Sequence, residues 1–478
     1  MESKAYKQAK WLSFFSTLIH QIGIRSVFPL GVLGVYVISY FKNLDKSVSI
    51  YLTFFLFPVI TSLLTFSVPV AGVLEHYLGS RITLLISCLT LVLASVLTII
   101  SKSASFTIFC YVIFGLGLGL SAMTSVKTTC QFYPNKRGLI TSLMNSFSSM
   151  GVAILNILAE FVLINPQKKG MIEGEEYYSM DIAERFPNYI YLIIAIIPTF
   201  TIIAIILDSF SKSKKNTAAL EEEEQRISLQ PQEKVKNPST INNPLVDPSE
   251  EKKKNSYKYK QDIKKIFTSA GIWKLFFECF LTSFLPLLVF NSYKTVGLLN
   301  GRNQTIMVIT ASVASVCLAG INPLWGYLYD KFSFKPLIIF MGIAGAVNGA
   351  FFFFAIFSDY LITASIVFNN GLLAAANTIF FPHIIKIYGL TYSLEASGVI
   401  GLGIGVTGII GATFCYIVNE IFGKNLISYY VSYGVGAAMS LLSLAFSLFE
   451  KEEVFVYDEC EIQEVDKLIE QENKVENA

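Results

Sequence analysis

Apolar residues along this chain come in runs of about 20 to 30, separated by short segments that gather its Lys, Arg, Asp, Glu and Asn residues. A bilayer core is about 30 Å thick and takes roughly 20 helical residues to cross, because backbone in lipid must satisfy its own hydrogen bonds. Twelve runs meet that length, at approximately 11–40, 50–74, 82–100, 106–126, 139–164 and 189–207, then 271–293, 305–325, 336–357, 360–381, 393–419 and 426–449. The pattern predicts an all-α membrane protein with twelve transmembrane helices in two six-helix sets, residues 11–207 and 271–449. Between them, residues 208–270 carry the acidic run 221–224, Lys252, Lys253 and Lys254, and many Pro, Ser and Asn residues, which predicts a solvated linker. Residues 1–10 and the acidic stretch 450–478 are expected to be tails.

The two sets repeat one another. Gly72, Glu75, His76, Tyr77, Gly79 and Arg81 follow the second run, and Gly326, Asp330, Lys331, Ser333 and Lys335 follow the eighth, 254 residues on. Ser39, Tyr40 and Lys42 close the first run as Ser292, Tyr293 and Lys294 close the seventh. Phe132, Tyr133, Pro134 and Lys136 follow the fourth as Phe380, Phe381, Pro382 and Lys386 follow the tenth. Such duplication implies two pseudo-symmetric bundles that rock around a central site.

Composition narrows the function. Apolar residues make up 53% of the chain and mean hydropathy is +0.54, too apolar for a soluble domain of 478 residues. A net charge of +2 leaves no basic surface for nucleic acid. Lys4, Lys7, Lys10, Arg81, Lys127, Lys136, Arg137, Lys331, Lys335 and Lys386 gather on one side of the predicted topology, which places both termini in the cytoplasm. The expected location is a multi-pass protein of the plasma membrane or an endomembrane. The first run has no small-residue cleavage site and reads as a retained helix. Seven scattered cysteines form neither a disulfide framework nor a metal-ligand spacing. Gly115, Gly117 and Gly119 lie in a membrane run with no preceding strand, so they form no nucleotide loop. Three dispersed histidines and no carboxylate-rich cluster argue against an enzyme, and no cofactor is expected.

The repeated loop resembles that of the major facilitator superfamily, Gly-x-x-x-Asp-(Arg/Lys)-x-Gly-x-(Arg/Lys). The resemblance implies two six-helix bundles, alternating access, and loop acids and bases that hold helix ends on the cytoplasmic side. It makes gating-loop residues of Gly72, Glu75, Gly79, Arg81, Lys136, Arg137, Gly326, Asp330, Lys331 and Lys335. The second copy has Ser333 for Gly; the first has His76 and Tyr77 where acid and base belong, with Glu75 one position early. Phe132 through Leu139, Asn291 through Lys294 with Gly297, and Phe381-Pro382 through Tyr388-Gly389 are similar to the oxalate/formate antiporter and monocarboxylate porter branch. Monocarboxylate porters carry Arg before Pro-x-x-Gly in helix 8 with Asp one turn earlier; Asn322 and Leu318 stand there instead. The related dicarboxylate antiporters use basic groups in helices 8 and 11, and neither helix has one here.

Arg25 is the sharpest single signal, fourteen residues after Trp11 and fifteen before Tyr40, near mid-membrane. A charge there costs at least about 2.5 to 3.5 kcal/mol, so it must face a cavity or a partner. On one continuous helix, Gln21, Arg25, Val32, Tyr36 and Ser39 share a face, and the family resemblance turns helix 1 toward the central cavity. A guanidinium fork matches carboxylates, so Arg25 is expected to attract an anionic solute; the competing reading is an interhelical salt bridge. Ser142, Asn145, Ser149, Asn156 and Glu160 cluster on helix 5, and Thr363, Asn370 and Asn377 on helix 10, either for solute or as polar glue. The expected substrate site is therefore Gln21, Arg25, Tyr36, Asn145, Ser149, Asn322, Asn370 and Asn377, with Glu160 and Glu278 as coupling candidates. Against that role, Glu278 sits one turn from Lys274, a spacing at which the two can neutralise each other. His20 points away from the Arg25 stripe and reads as a satisfied interior histidine. Gly398, Gly401, Gly405 and Gly408 recur at helical spacing in helix 11 and predict close helix packing.

Three appendages complete the picture. Tyr259, Ile263, Ile266 and Phe267 alternate with Lys258, Lys260, Lys264 and Lys265 as a basic amphipathic helix expected on the inner leaflet. Glu464, Leu468 and Ile469 look like an acidic dileucine signal for a sorting adaptor, and Asn303 fits a glycosylation acceptor close to helix 8. Together these features predict a secondary active transporter of a small organic solute, a mono- or dicarboxylate, with a proton as candidate co-transported ion. The alternatives are a carrier of a neutral or zwitterionic solute (an amino acid or sugar), or a non-transporting membrane sensor on the same fold.

Overall fold

The computed structural model describes residues 4–48, 52–159, 178–229, 259–299, 304–355, 357–422 and 426–449. Glu160, Asn303, most of the linker and the dileucine-like segment lie outside these described residues. The first half holds α1 (Lys4–Arg25), α2 (Pro29–Leu44), α3 (Thr53–Leu78), α4 (Ser80–Ile99), α5 (Ala104–Cys130), α6 (Arg137–Ile157), α7 (Met180–Ala183) and α8 (Pro187–Leu229). After α9 (259–268), the second half holds α10 (Ala270–Leu299), α11 (Gln304–Lys331), α12 (Phe334–Ala355), α13 (Asp359–Tyr388), α14 (Ser393–Phe422) and α15 (Leu426–Phe449). Among the described residues ten helices are long and apolar enough to cross a membrane. The α1–α2 pair and α11 complete the twelve.

The continuous helix predicted over 11–40 is divided at 26–28. Pro29 has no N–H to give, and its ring crowds the Arg25 carbonyl four residues back. The amides of Ser26, Val27, Phe28 and Leu30 instead donate three residues back, at 3.0 to 3.3 Å. That tighter winding turns α2 relative to α1, so the face drawn from Gln21 to Ser39 does not survive. Tyr36 is fully buried in the first-half core with Tyr111, Phe114 and Tyr189, its ring stacked 4.5 Å from Tyr178.

Two further expectations change. The linker predicted from Asp208 begins as helix, because α8 continues to Leu229 through strong helix formers. The apolar face of α9 meets protein instead of lipid: Ile266 is 1% exposed in the second-half core and Tyr259 4% exposed between the halves, while Lys260, Lys264 and Lys265 face outward.

The halves meet along two seams, α3 against α14 and α6 against α11. The glycine stripe of α14 forms the first: Gly398 lies on Pro69, Gly401 and Gly405 on Thr65, and Gly408 on Pro58. Ser62 Oγ donates to the Gly405 carbonyl at 2.6 Å. Gly115 and Gly119 of α5 fit against Ile60, Leu64 and Ser67 of α3, where a Cβ would collide. On the outer surface, Leu89, Val347 and Phe354 are exposed, as lipid-facing side chains should be.

Candidate functional site

Between the halves lies a cavity of two lobes, about 130 and 140 Å³, that share Arg25, Phe28, Phe57, Leu373 and Asn377. Ser148, Ser149, Asn156, Tyr293, Ser315 and Asn370 line the first lobe; Thr61, Thr65, Met123, Cys279 and Ser397 are among those lining the second. Phe290 stands 4.9 Å from Phe57 between ring centroids and walls the first lobe.

Arg25 ends α1 at the division before Pro29, which delivers its side chain to both lobes. Its guanidinium carbon sits 4.5 Å from the Phe28 ring centroid. Its Nε is buried without a hydrogen-bond partner, and no carboxylate among the described residues pairs with it. A cation–π contact gives about 0.5 to 2 kcal/mol, at or below the cost of a helix-centre arginine. Among the described residues the guanidinium therefore lacks a full set of partners, which suits it to an anion or to water.

The other expected substrate residues divide. Ser149, Asn370 and Asn377 line the cavity with Arg25. Asn145 lies beside them, its Nδ2 3.5 Å from the Asn377 carbonyl across the halves. Gln21 is instead spent on α5, its Nε2 donating to the Ala122 carbonyl at 2.5 Å and to Ser125 Oγ at 3.0 Å. Asn322 accepts from Thr378 Oγ1 at 3.1 Å and ties α11 to α13. Tyr36 lies in the core, as above. Glu278 is fully buried against α15, where its Oε1 accepts from Ser443 at 3.0 Å and Ser447 at 2.6 Å. His20 is buried with neither ring nitrogen hydrogen-bonded, contrary to the satisfied interior histidine expected. Phe28, Phe57 and Phe290 escape sequence reasoning because an aromatic ring reads alike toward lipid or cavity.

Both repeated loops lie at the end of the bundle that carries the start of α1, the end of α8 and α9, here called the linker face. The second copy acts across the halves: Asp330 accepts from the amides of Gly138 at 3.1 Å and Leu139 at 2.9 Å, capping α6. A carboxylate there neutralises the positive helix end. Lys136 is close enough to Asp330 to bear on its charge, and Arg137 opens α6. Lys331 lies over the Tyr327 and Phe332 rings. Gly326 packs on Gly138 and Ser142, where any side chain would collide.

The first copy acts mostly within its own half. Gly79 turns the chain with φ of +82°, Glu75 pairs with Lys127 at 2.9 Å, and Arg81 pairs with Asp208 at 3.2 Å. The cross-half contact of this copy runs from His76 and Gly72 to Tyr259 and Glu395, which lie outside the motif. The His76 ring stacks on Tyr259 of α9, with centroids 3.8 Å apart and planes 2° apart. Tyr259 donates to Glu395 Oε1 of α14, and Gly72 lies against the same carboxyl. Burial, and then the neighbouring Glu395, hold the Tyr259 phenol above its ordinary range, so it remains a donor at physiological pH. Glu395 is missed from sequence because an acid in a helix's first turn is ordinary dipole chemistry.

Two helical bundles around a small interfacial cavity, closed at one end by loop-borne contacts, define a membrane carrier fold. A profile of the major facilitator superfamily matches residues 13–368, and the chain belongs to that superfamily, whose members are transporters and not enzymes. No curated protein sequence matches it. Among solved structures, it is similar to the proton:xylose symporter XylE bound to 6-bromo-6-deoxy-D-glucose, with a TM-score of 0.63 and 15% identity over 94% of this chain and 96% of that one. That likeness is one of fold.

Proposed function

We propose that the chain is a secondary active carrier that moves a small organic anion, a mono- or dicarboxylate, by alternating access between its two bundles. The observation that carries the reading is Arg25, an arginine in the shared part of the central cavity with no carboxylate partner among the described residues. A carboxylate would complete it with charge-assisted, bidentate hydrogen bonds. Asn370, Asn377 and Ser149 supply further polar contacts, and Phe28, Phe57 and Phe290 suit a short apolar tail. The loss of the branch's helix 8 arginine is met from the opposite half. The linker face is assigned to the cytoplasm, as the distribution of basic loops supports.

A neutral solute is the second reading, favoured by the asparagine-lined lobe and by the sugar-bound symporter of the same fold. Proteoliposome uptake of labelled carboxylates, sugars and amino acids, with and without a pH gradient, separates the two. Saturable carboxylate uptake whose KM Arg25→Ala raises supports the anion reading; sugar or amino-acid uptake indifferent to Arg25→Ala overturns it.

A further inference from the structure

We propose that Glu395 is a proton-binding site that latches the linker face: with its carboxyl neutral the two halves are held together through α9, and with it ionised they part. The proposal rests on the alternating-access reading for its purpose, and not on the identity of the solute.

Glu395 is 2% exposed in the first turn of α14. Its Oε1 accepts from the Tyr259 phenol, while its Oε2 is buried without a hydrogen-bond partner. The same carboxyl touches Gly72 of α3, so it stands at the junction of both halves and α9. Tyr259 is held between the His76 ring of the first half and the Tyr392 ring of the second, the latter 5.8 Å away. Tyr392 in turn donates to Asp262 of α9 at 2.8 Å.

Among the described residues, the charged and titratable groups around this carboxyl are Glu75, His76 and Tyr77 from α3, Lys127 from α5, Tyr259 and Asp262 from α9, and Tyr392 before α14. Lys127 is engaged by Glu75 at 2.9 Å, and Asp262 by Lys265 at 3.6 Å. A buried carboxylate with one bare oxygen and no dedicated cation among the described residues is costly, whereas the neutral acid needs far less solvation. Beside it lies a vestibule of about 360 Å³ lined by Gly72, Glu75, His76, Lys127 and Gln131. As the halves part and vestibule water arrives, the O–H bond of the acid breaks, its electron pair stays on Oε2, and the proton passes to water. The carboxylate left behind faces water and Lys127, and the halves reclose when it takes a proton back.

Native Cys130 reports the gate. It is fully buried at the linker-face end of α5, in a cluster that crosses the halves to Phe381, Ile385 and Leu394. Maleimide labelling of Cys130 in the purified full chain is followed by peptide mass spectrometry across pH 5 to 8, each rate divided by that of the denatured chain at the same pH. The expected rate rises about tenfold per pH unit below a midpoint, the slope of one linked proton. Glu395→Gln, a permanently neutral mimic, is expected to label slowly at every pH. Tyr259→Phe removes a donor that favours the anion and is expected to move the midpoint to higher pH; His76→Phe keeps the stack and the pH dependence. A flat parent profile, a Glu395→Gln profile like the parent's, an unshifted Tyr259→Phe, or loss of the slope in His76→Phe overturns the proposal. No solute is needed, so the anion reading can fail while this one stands.

Discussion

Replacing Arg25 with alanine should weaken transport and strengthen the fold at once. A carboxylate bound through charge-assisted hydrogen bonds loses about 1.5 to 3 kcal/mol with them, which is roughly a 10- to 150-fold rise in KM for an anionic solute. Among the described residues no carboxylate pairs with Arg25, so its removal strands none of them. Removing a helix-centre guanidinium returns about 2.5 to 3.5 kcal/mol, less the roughly 0.5 to 2 kcal/mol of its contact with Phe28, for a net gain of about 0.5 to 3 kcal/mol. Solute-free thermal unfolding in detergent and initial-rate uptake in proteoliposomes, on the same preparation, measure the two effects. Arg25→Lys should keep the charge and lose the fork, falling between the parent and Arg25→Ala in uptake. A destabilised Arg25→Ala would reveal a structural partner, and an unchanged KM for every transported anion would remove the guanidinium from the solute site; either result refutes the reasoning.

Other residues should respond differently. Asp330→Asn weakens the cap on α6 by about 0.3 to 1 kcal/mol and should raise Cys130 labelling about 2- to 5-fold, the population shift that energy allows. Gly398→Val drives a side chain into Pro69 and should cost about 1 to 3 kcal/mol, read as a lower unfolding temperature with reduced uptake. Tyr36→Ala empties a fully buried site and should cost about 3 to 5 kcal/mol of folding free energy, while KM of the folded fraction stays unchanged in solute titrations.

The twelve membrane passes are legible because lipid enforces length: a run too short or too polar cannot hide its amides. Arg25 is legible for the same reason, since a charge in that run needs an explanation. What helix periodicity loses is local: Pro29 rewinds three residues, and Tyr36 passes from the drawn cavity face into the core. Polar residues are also ambiguous by type. Asn377 and Asn322 look alike in sequence, yet one opens on the cavity and the other is buried, with its Oδ1 held by Thr378. The second loop is readable because its contact with the other half rests on one motif residue, Asp330, at a helix end. The first is not, because His76, Tyr259 and Glu395 come from three distant segments and have meaning only when assembled.

The α3–α14 seam carries one more consequence. Where Gly398, Gly401, Gly405 and Gly408 face Pro58, Thr65 and Pro69, α14 presents a smooth track with no knobs for its neighbour to climb. Apart from the Ser62 hydrogen bond to the Gly405 carbonyl, the glycines of this stripe meet their neighbour by shape alone. On the alternating-access reading, such a track leaves most of the polar contacts that a cycle breaks and remakes to the linker face.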